Sequence, residues 1–185
     1  MDALRAMGVT AVIGICAVGS LRTDLPTGSV LLPNDFIEAQ SLPPVSRPLE
    51  VLHTDVRFPY CERLRSLIAQ TLAYREGFHP TGVMVGVVGP RFESPAEVRA
   101  LHQIGADVVG MTGVPEAIAA REAGICYASI ACVTNLGVGL SDTRPSHGTV
   151  TQQMERMVSG LVPDLVAVVE NVCPETPCTY CACGD

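Results

Sequence analysis

The chain has 185 residues, 48% apolar and 17% charged, with a formal net charge of −7. This composition excludes intrinsic disorder, which needs low hydrophobicity and high net charge, and a nucleic-acid surface, which needs clustered cations to neutralise phosphates. No apolar run reaches the roughly 18 residues of a membrane span, and with an acid at position 2 and no basic stretch no secretory leader is expected.

A cytoplasmic chain with one domain over residues 1–172 is therefore expected, followed by a Cys-rich tail over 173–185. There is no Trp and aromatics are 4%, so the core must be aliphatic. Residues 1–7 read as a short helix closed by Gly8 at its C′ position. Val9–Val18 is a continuous apolar run, the pattern of a strand buried on both faces, ended by Gly19-Ser20. Ser29–Ala39 follows the turn signal Pro26-Thr27-Gly28, and Pro33 interrupts it as a regular strand. Ser41–Pro48 is Pro-rich and reads as a loop. Tyr60–Tyr74 carries apolar residues at helical spacing (Leu64, Leu67, Ile68, Leu72). Thr81–Gly89 reads as a strand. Ser94-Pro95-Ala96-Glu97 is a helix start, with Ser at the N-cap, Pro at N1 and Glu completing a capping box, and that helix stops at Gly105. Ala106–Met111 is a short strand, Glu116–Glu122 a helix ended by Gly124, and Ile125–Asn135 a buried strand. A polar, Gly-rich loop leads to a helical run over Val150–Val172, in which Pro163 predicts a break or bend.

Strands alternate with helices, so the class is α/β with a mixed, largely parallel sheet flanked by helices. Ligands of such sheets sit beyond strand ends. Four segments qualify: Cys16–Ser20, Gly89–Glu93, Gly110–Thr112 and Val133–Asn135. Each residue there has a plain alternative. Gly19-Ser20 is an anion nest or a strand end. Glu93 is a ligand contact or a first-turn acid. Thr112 donates to an oxyanion or caps a helix. Asn135 offers a donor and an acceptor to a planar heterocycle, or forms a turn. The four His residues show no metal-ligand spacing, and no metal is expected at these ends. Among the eight cysteines, Cys16, Cys61, Cys126 and Cys132 lie in or beside apolar runs and behave as small hydrophobes. Cys173, Cys178, Cys181 and Cys183 leave three readings open: a thiol-rich tail, a disulfide or a metal site.

The stretches AVGSLRTDLPTGSVLLPNDFIE and GPRFESPAEVRALHQIGADVVGMTGVPEAIAAREAGICYASIACVTN resemble the trimeric purine nucleoside phosphorylase / methylthioadenosine phosphorylase family. The likeness covers nearly the whole chain, including the Cys181-Ala182-Cys183-Gly184 tail. It implies a phosphorylase-like three-layer α/β/α fold. It implies phosphorolysis of the N-glycosidic bond of a purine nucleoside, with inorganic phosphate as co-substrate, no cofactor, and a homotrimer in the full-length form. By position, Cys16, Ala17 and Thr112 match phosphate-binding residues. Met111 and Phe92 match residues beside the sugar and base, Gly137 one beside the substrate, and His147 one near the 5′ group. Glu93 and Asn135 match the pair that reads the purine.

That pair suits a 6-oxopurine. Its N1–H donates to a carboxylate, while an Asn amide donates to O6 and accepts from the N7–H of the departing base. A 6-amino purine prefers an acid at position 135. Inosine, guanosine or methylthioinosine is the expected substrate, with methylthioadenosine, or an inactive nucleoside-binding remnant, as alternatives. The chain departs from the family at its N-terminus. Relatives carry a Gly-rich phosphate loop, an Arg-His segment and two further strands ahead of the first helix. Weak phosphorolysis by the isolated 185-residue chain is the resulting expectation.

Overall fold

The two most apolar runs become neighbours at the centre of a sheet. In a computed structural model, which describes residues 1–40, 53–172 and 178, β1 (Ala11–Ser20) and β7 (Cys126–Leu136) pair in parallel from Ala11↔Cys126 to Ser20↔Leu136. Around them lie β2 (Val30–Leu31), β3 (Asp35–Glu38), β4 (Phe78–His79), β5 (Val83–Gly86) and β6 (Val108–Gly110). The sheet runs β3-β5-β6-β1-β7-β2-β4 among the described residues. The pairs β1/β7, β3/β5, β5/β6 and β2/β4 are parallel, whereas β1/β6 and β2/β7 are antiparallel. The expected mixed, largely parallel sheet is thus observed.

Five helices complete the described fold: α1 (Asp2–Ala6), α2 (Glu62–Leu72), α3 (Pro95–Gln103), α4 (Gly113–Glu122) and α5 (His147–Asn171). Strand periodicity sorts the two central strands onto two faces. Ala11, Ile13 and Ile15 with Cys126, Ala128, Ile130 and Cys132 pack against Leu64, Ile68 and Leu72 of α2 and Met157, Leu161 and Val168 of α5. Cys16, Val18, Ala131 and Val133 face the other way, onto Val114 of α4. Both faces are covered, which is why these strands read as unbroken apolar runs.

One expectation is met and one is corrected. Pro33 interrupts the run Ser29–Ala39 as expected, and the two halves are strands on opposite sides of the β1/β7 pair. Pro33 has no N–H to give a ladder, and the chain changes neighbour there: Leu32 N–H donates to the His79 carbonyl and Asn34 N–H to that of Gly82. The Pro33 carbonyl accepts from Arg65 Nε at 2.8 Å. Pro163, conversely, does not end α5, which continues through it. A proline inside a helix crowds the preceding turn and loosens its carbonyls. Here the Gly160 carbonyl accepts from Arg75 Nη2, while Arg75 Nε binds Asp164 Oδ2 at 3.0 Å. A side chain from beyond α2 thus braces the turn before Pro163 from outside the helix.

The capping box of α3 is formed as its sequence predicts, and Gly105 takes φ +100 just past its end. β1 runs on through Gly19-Ser20 instead of stopping before them. Cys178 is buried in the α2/α5 cluster. The expected loop Ser41–Pro48 and Cys173, Cys181 and Cys183 lie outside the described residues. Among the described residues, no helix is long and apolar enough to cross a membrane.

Candidate active site

β6 approaches β1 antiparallel and shares only two residue pairs with it, Gly19↔Val109 and Ser20↔Val108. Beyond these pairs the strands part. A cavity of about 290 Å³ opens there, lined by Ala17, Val18 and Gly19 on one side and Val109 to Thr112 on the other. The end of β7 (Thr134, Asn135), the segment before α3 (Pro90, Phe92, Glu93) and the start of α5 (His147, Val150) close it. The cavity therefore sits where two antiparallel strands diverge, rather than only beyond the carboxyl ends of parallel ones.

Seven of the nine residues singled out in the sequence meet in this cavity: Ala17, Phe92, Glu93, Met111, Thr112, Asn135 and His147. Thr112 is the N-cap of α4, yet its side chain makes no capping hydrogen bond. Its hydroxyl is exposed beside a helix N-terminus, where backbone N–H groups favour an anion. Glu93 is half-buried, and burial raises its carboxyl above the ordinary glutamate range, with Glu97 adding to the rise and Arg91 opposing it. Arg91 is itself clamped on Glu97 at 2.8 and 2.6 Å.

The amide of Asn135 is oriented. The Thr134 hydroxyl lies 3.1 Å from Asn135 Oδ1 and 3.2 Å from the Val18 carbonyl, and Asn135 Nδ2 donates to the Leu136 carbonyl at 3.0 Å. Each end of the amide keeps one further hydrogen-bonding position. Gly19 makes room for it: a Cβ there would stand 3.2 Å from Asn135 Nδ2 and 3.3 Å from Val109 Cγ1. The β1/β7 register shifts between Val18 and Gly19, so Gly19 lies opposite Asn135. Asn135 and Thr134 also wall a second cleft of about 320 Å³ that holds Arg144.

Two singled-out residues are not in the cavity lining. The Cys16 side chain points into the core, with Sγ 3.4 Å from Ser129 Oγ, and burial pushes its thiol up to about 11. A thiol so buried stays neutral at physiological pH. Gly137 serves packing. Its N–H donates to the Ser20 carbonyl at 2.7 Å, and a Cβ would meet Val98 Cγ1 at 2.9 Å.

Sequence reasoning missed several neighbours. Gln40 Nε2 donates to the carbonyls of Val87 (2.6 Å) and Met111 (2.9 Å), tying the Met111 backbone to the strand beside it. Thr134 adjoins a flagged residue, but its hydroxyl contacts follow from tertiary geometry alone. Among the described residues that line the cavity there is no Lys or Arg.

Comparison with known proteins identifies the family. The family model of the phosphorylase superfamily matches residues 1–162. A protein of Methanothermobacter thermautotrophicus named probable S-methyl-5′-thioinosine phosphorylase is 36% identical over 177 residues, which are 95% of this chain and 62% of that protein. The 6-oxopurine nucleoside phosphorylase of Pyrococcus furiosus is 36% identical over 191 residues, covering 95% of this chain and 70% of the other. The structure of methylthioadenosine phosphorylase from Schistosoma mansoni in complex with adenine superposes with a TM-score of 0.83 at 30% identity, over 91% of this chain and 67% of that one. This chain thus spans about 62% of the length of the first of these relatives. With a model match over most of its residues and the sheet and cavity described above, the chain belongs to the phosphorylase superfamily.

Proposed function

We propose that the cavity is the nucleoside site of a phosphorylase acting on 6-oxopurine nucleosides: inosine, guanosine or S-methyl-5′-thioinosine. The observation that carries this reading is the meeting of Glu93 and Asn135, from distant segments, in one cavity with the uncapped Thr112 hydroxyl. In the reaction the N9–C1′ bond breaks and a phosphate oxygen bonds to C1′. The electron pair passes to the purine, which takes up a proton at N7. Asn135 Oδ1 accepts from N7–H, Asn135 Nδ2 donates to O6, and the Glu93 carboxylate accepts from N1–H. These contacts strengthen as charge develops on the departing base, which is where they lower the barrier. Thr112, the first turn of α4 and the backbone at Ala17 hold phosphate. Met111 and Phe92 wall the sugar, and His147 neighbours its 5′ substituent.

Names of relatives support the substrate class: proteins of this similarity are called 6-oxopurine nucleoside and S-methyl-5′-thioinosine phosphorylases. The neighbour solved with adenine keeps methylthioadenosine as the second reading. No organic cofactor or metal is needed for the step, and a homotrimer is the proposed assembly of the full-length protein. With no Lys or Arg among the described lining residues, phosphate is held by dipoles and one hydroxyl, a weak arrangement for a dianion. The purified chain is therefore expected to bind base with little gain from phosphate. Calorimetry with hypoxanthine and with adenine, each with and without phosphate, tests this. Hypoxanthine should bind about 5- to 150-fold tighter, from the ~1–3 kcal/mol of a mismatched buried polar group. Equal affinity for the two bases overturns the substrate reading.

A further inference from the structure

Away from the cavity, three cysteines from distant parts of the chain converge. Cys61 is the N-cap of α2, Cys126 opens β7, and Cys178 lies beyond α5. All three are buried, and their sulfurs lie within 4.8 Å of one another, with Cys61 Sγ 3.5 Å from Cys178 Sγ. The backbone fixes two of the three: Cys61 N–H donates to the Tyr127 carbonyl at 2.7 Å, and Cys126 N–H to that of Thr10 at 3.0 Å.

We propose that Cys61, Cys126 and Cys178 form a zinc site that fastens the C-terminal segment to the start of α2 and β7. Zinc takes thiolate sulfur at about 2.3 Å, so tetrahedral neighbours stand ~3.8 Å apart. The 3.5 Å between Cys61 and Cys178 is close to that edge, and all three sulfurs lie within 4.8 Å of one another. Three thiolates around Zn²⁺ carry a net charge of −1, and a cation stands beside them. The Arg63 guanidinium is half-buried there and hydrogen-bonds Cys126. Arg63 thus brings the liganded site to neutrality. A monovalent ion would leave negative charge in an aliphatic core. A Cys61–Cys178 disulfide would join two of the three converging sulfurs and leave Cys126 outside the bond. None of these residues lines the nucleoside cavity, so the test is independent of the function proposed above.

The experiment loads the full chain, purified under reducing conditions, with zinc and then with cobalt, and reads bound metal after dialysis. One zinc per chain is expected, with a thiolate-to-cobalt charge-transfer band in the cobalt form. Cys61→Ser and Cys126→Ser should each lose the zinc. Cys132→Ala and the triple replacement of Cys173, Cys181 and Cys183 by Ser should keep it. The melting temperature should fall when a chelator strips the metal from the unmutated chain. The proposal is overturned if the unmutated chain binds no zinc, if its cobalt form lacks the thiolate band, or if Cys61→Ser and Cys126→Ser retain the metal. Loss of zinc in the triple variant would move the site to the tail and overturn it equally. So would thiol blocking at lysis that recovers Cys61 joined to Cys178. The cobalt spectrum of the unmutated chain needs no variant to fold.

Discussion

Replacing Asn135 by Asp changes one atom in the cavity, and the consequence can be worked from its neighbours. Asn135 Nδ2 donates to the Leu136 carbonyl at 3.0 Å, while Oδ1 lies 3.1 Å from the Thr134 hydroxyl. In the Asp variant an oxygen replaces Nδ2 and faces that carbonyl, two acceptors with no proton between them. The site is half-buried, so a cost of about 1–2 kcal/mol in stability is expected. Toward a 6-oxopurine the change is larger. O6 loses its donor and meets a carboxylate, a loss of about 1.5–3 kcal/mol, or roughly 10- to 100-fold in affinity. Adenine gains an acceptor for its 6-amino group, so the preference between the two bases should invert. Titration calorimetry with hypoxanthine and adenine reads the inversion, and a melting curve confirms that the variant is folded. A folded Asn135→Asp protein that keeps its hypoxanthine affinity within about twofold would refute the reasoning, since the amide would then not touch O6.

Glu93 predicts a pH dependence. Burial raises its carboxyl pKa in the folded chain. Its contribution to stability is therefore fully present below the unfolded glutamate range and is lost as pH rises through the raised folded value. Hypoxanthine binding should move the opposite way, strengthening as the carboxylate forms, and Glu93→Gln should flatten both profiles in melting and calorimetry. Gly19→Ala should weaken hypoxanthine binding while leaving the fold intact, because the new Cβ lies 3.2 Å from Asn135 Nδ2; unchanged binding would mean that the amide can shift freely. Arg75→Ala removes the partner of Asp164, whose side chain is 10% exposed and keeps only the Tyr74 hydroxyl at 2.7 Å. A loss of about 2–3 kcal/mol in urea denaturation is expected, toward the lower end for a buried pair broken on one side.

The legible parts of the molecule were those whose cause is local. The α3 capping box needs only Ser94, Pro95 and Glu97 in order, and it forms. The unbroken apolar runs of β1 and β7 could be read as doubly buried strands because each residue reports its own face. Where the cause is a distant partner, local signals misled. Pro163 reads as a break or bend, but α5 runs on through it, with Arg75 bonded to the Gly160 carbonyl from outside the helix. Pro33 marks an interruption in Ser29–Ala39, but nothing local says that the two halves pair with different neighbours. Phe78–His79 is two residues long, held by its partner β2 rather than by its own pattern.

The candidate site follows the same division. Glu93, Thr112 and Asn135 stand out only together, since each alone has an ordinary use at a strand or helix end. For Thr112 alone the fold removes the plain alternative: it is the N-cap of α4, yet its side chain makes no cap hydrogen bond. The amide of Asn135 owes its orientation to Thr134, its neighbour in sequence, and its space to Gly19 on the strand alongside. No spacing rule in one dimension carries that second fact. The three converging thiols are a sharper instance. Cys61 and Cys126 were read as small hydrophobes because each sits in an apolar setting, and they are indeed buried. What burial cannot tell is that both sulfurs face a third from the far end of the chain. A core position and a ligand position share the same local sequence, and only the fold separates them.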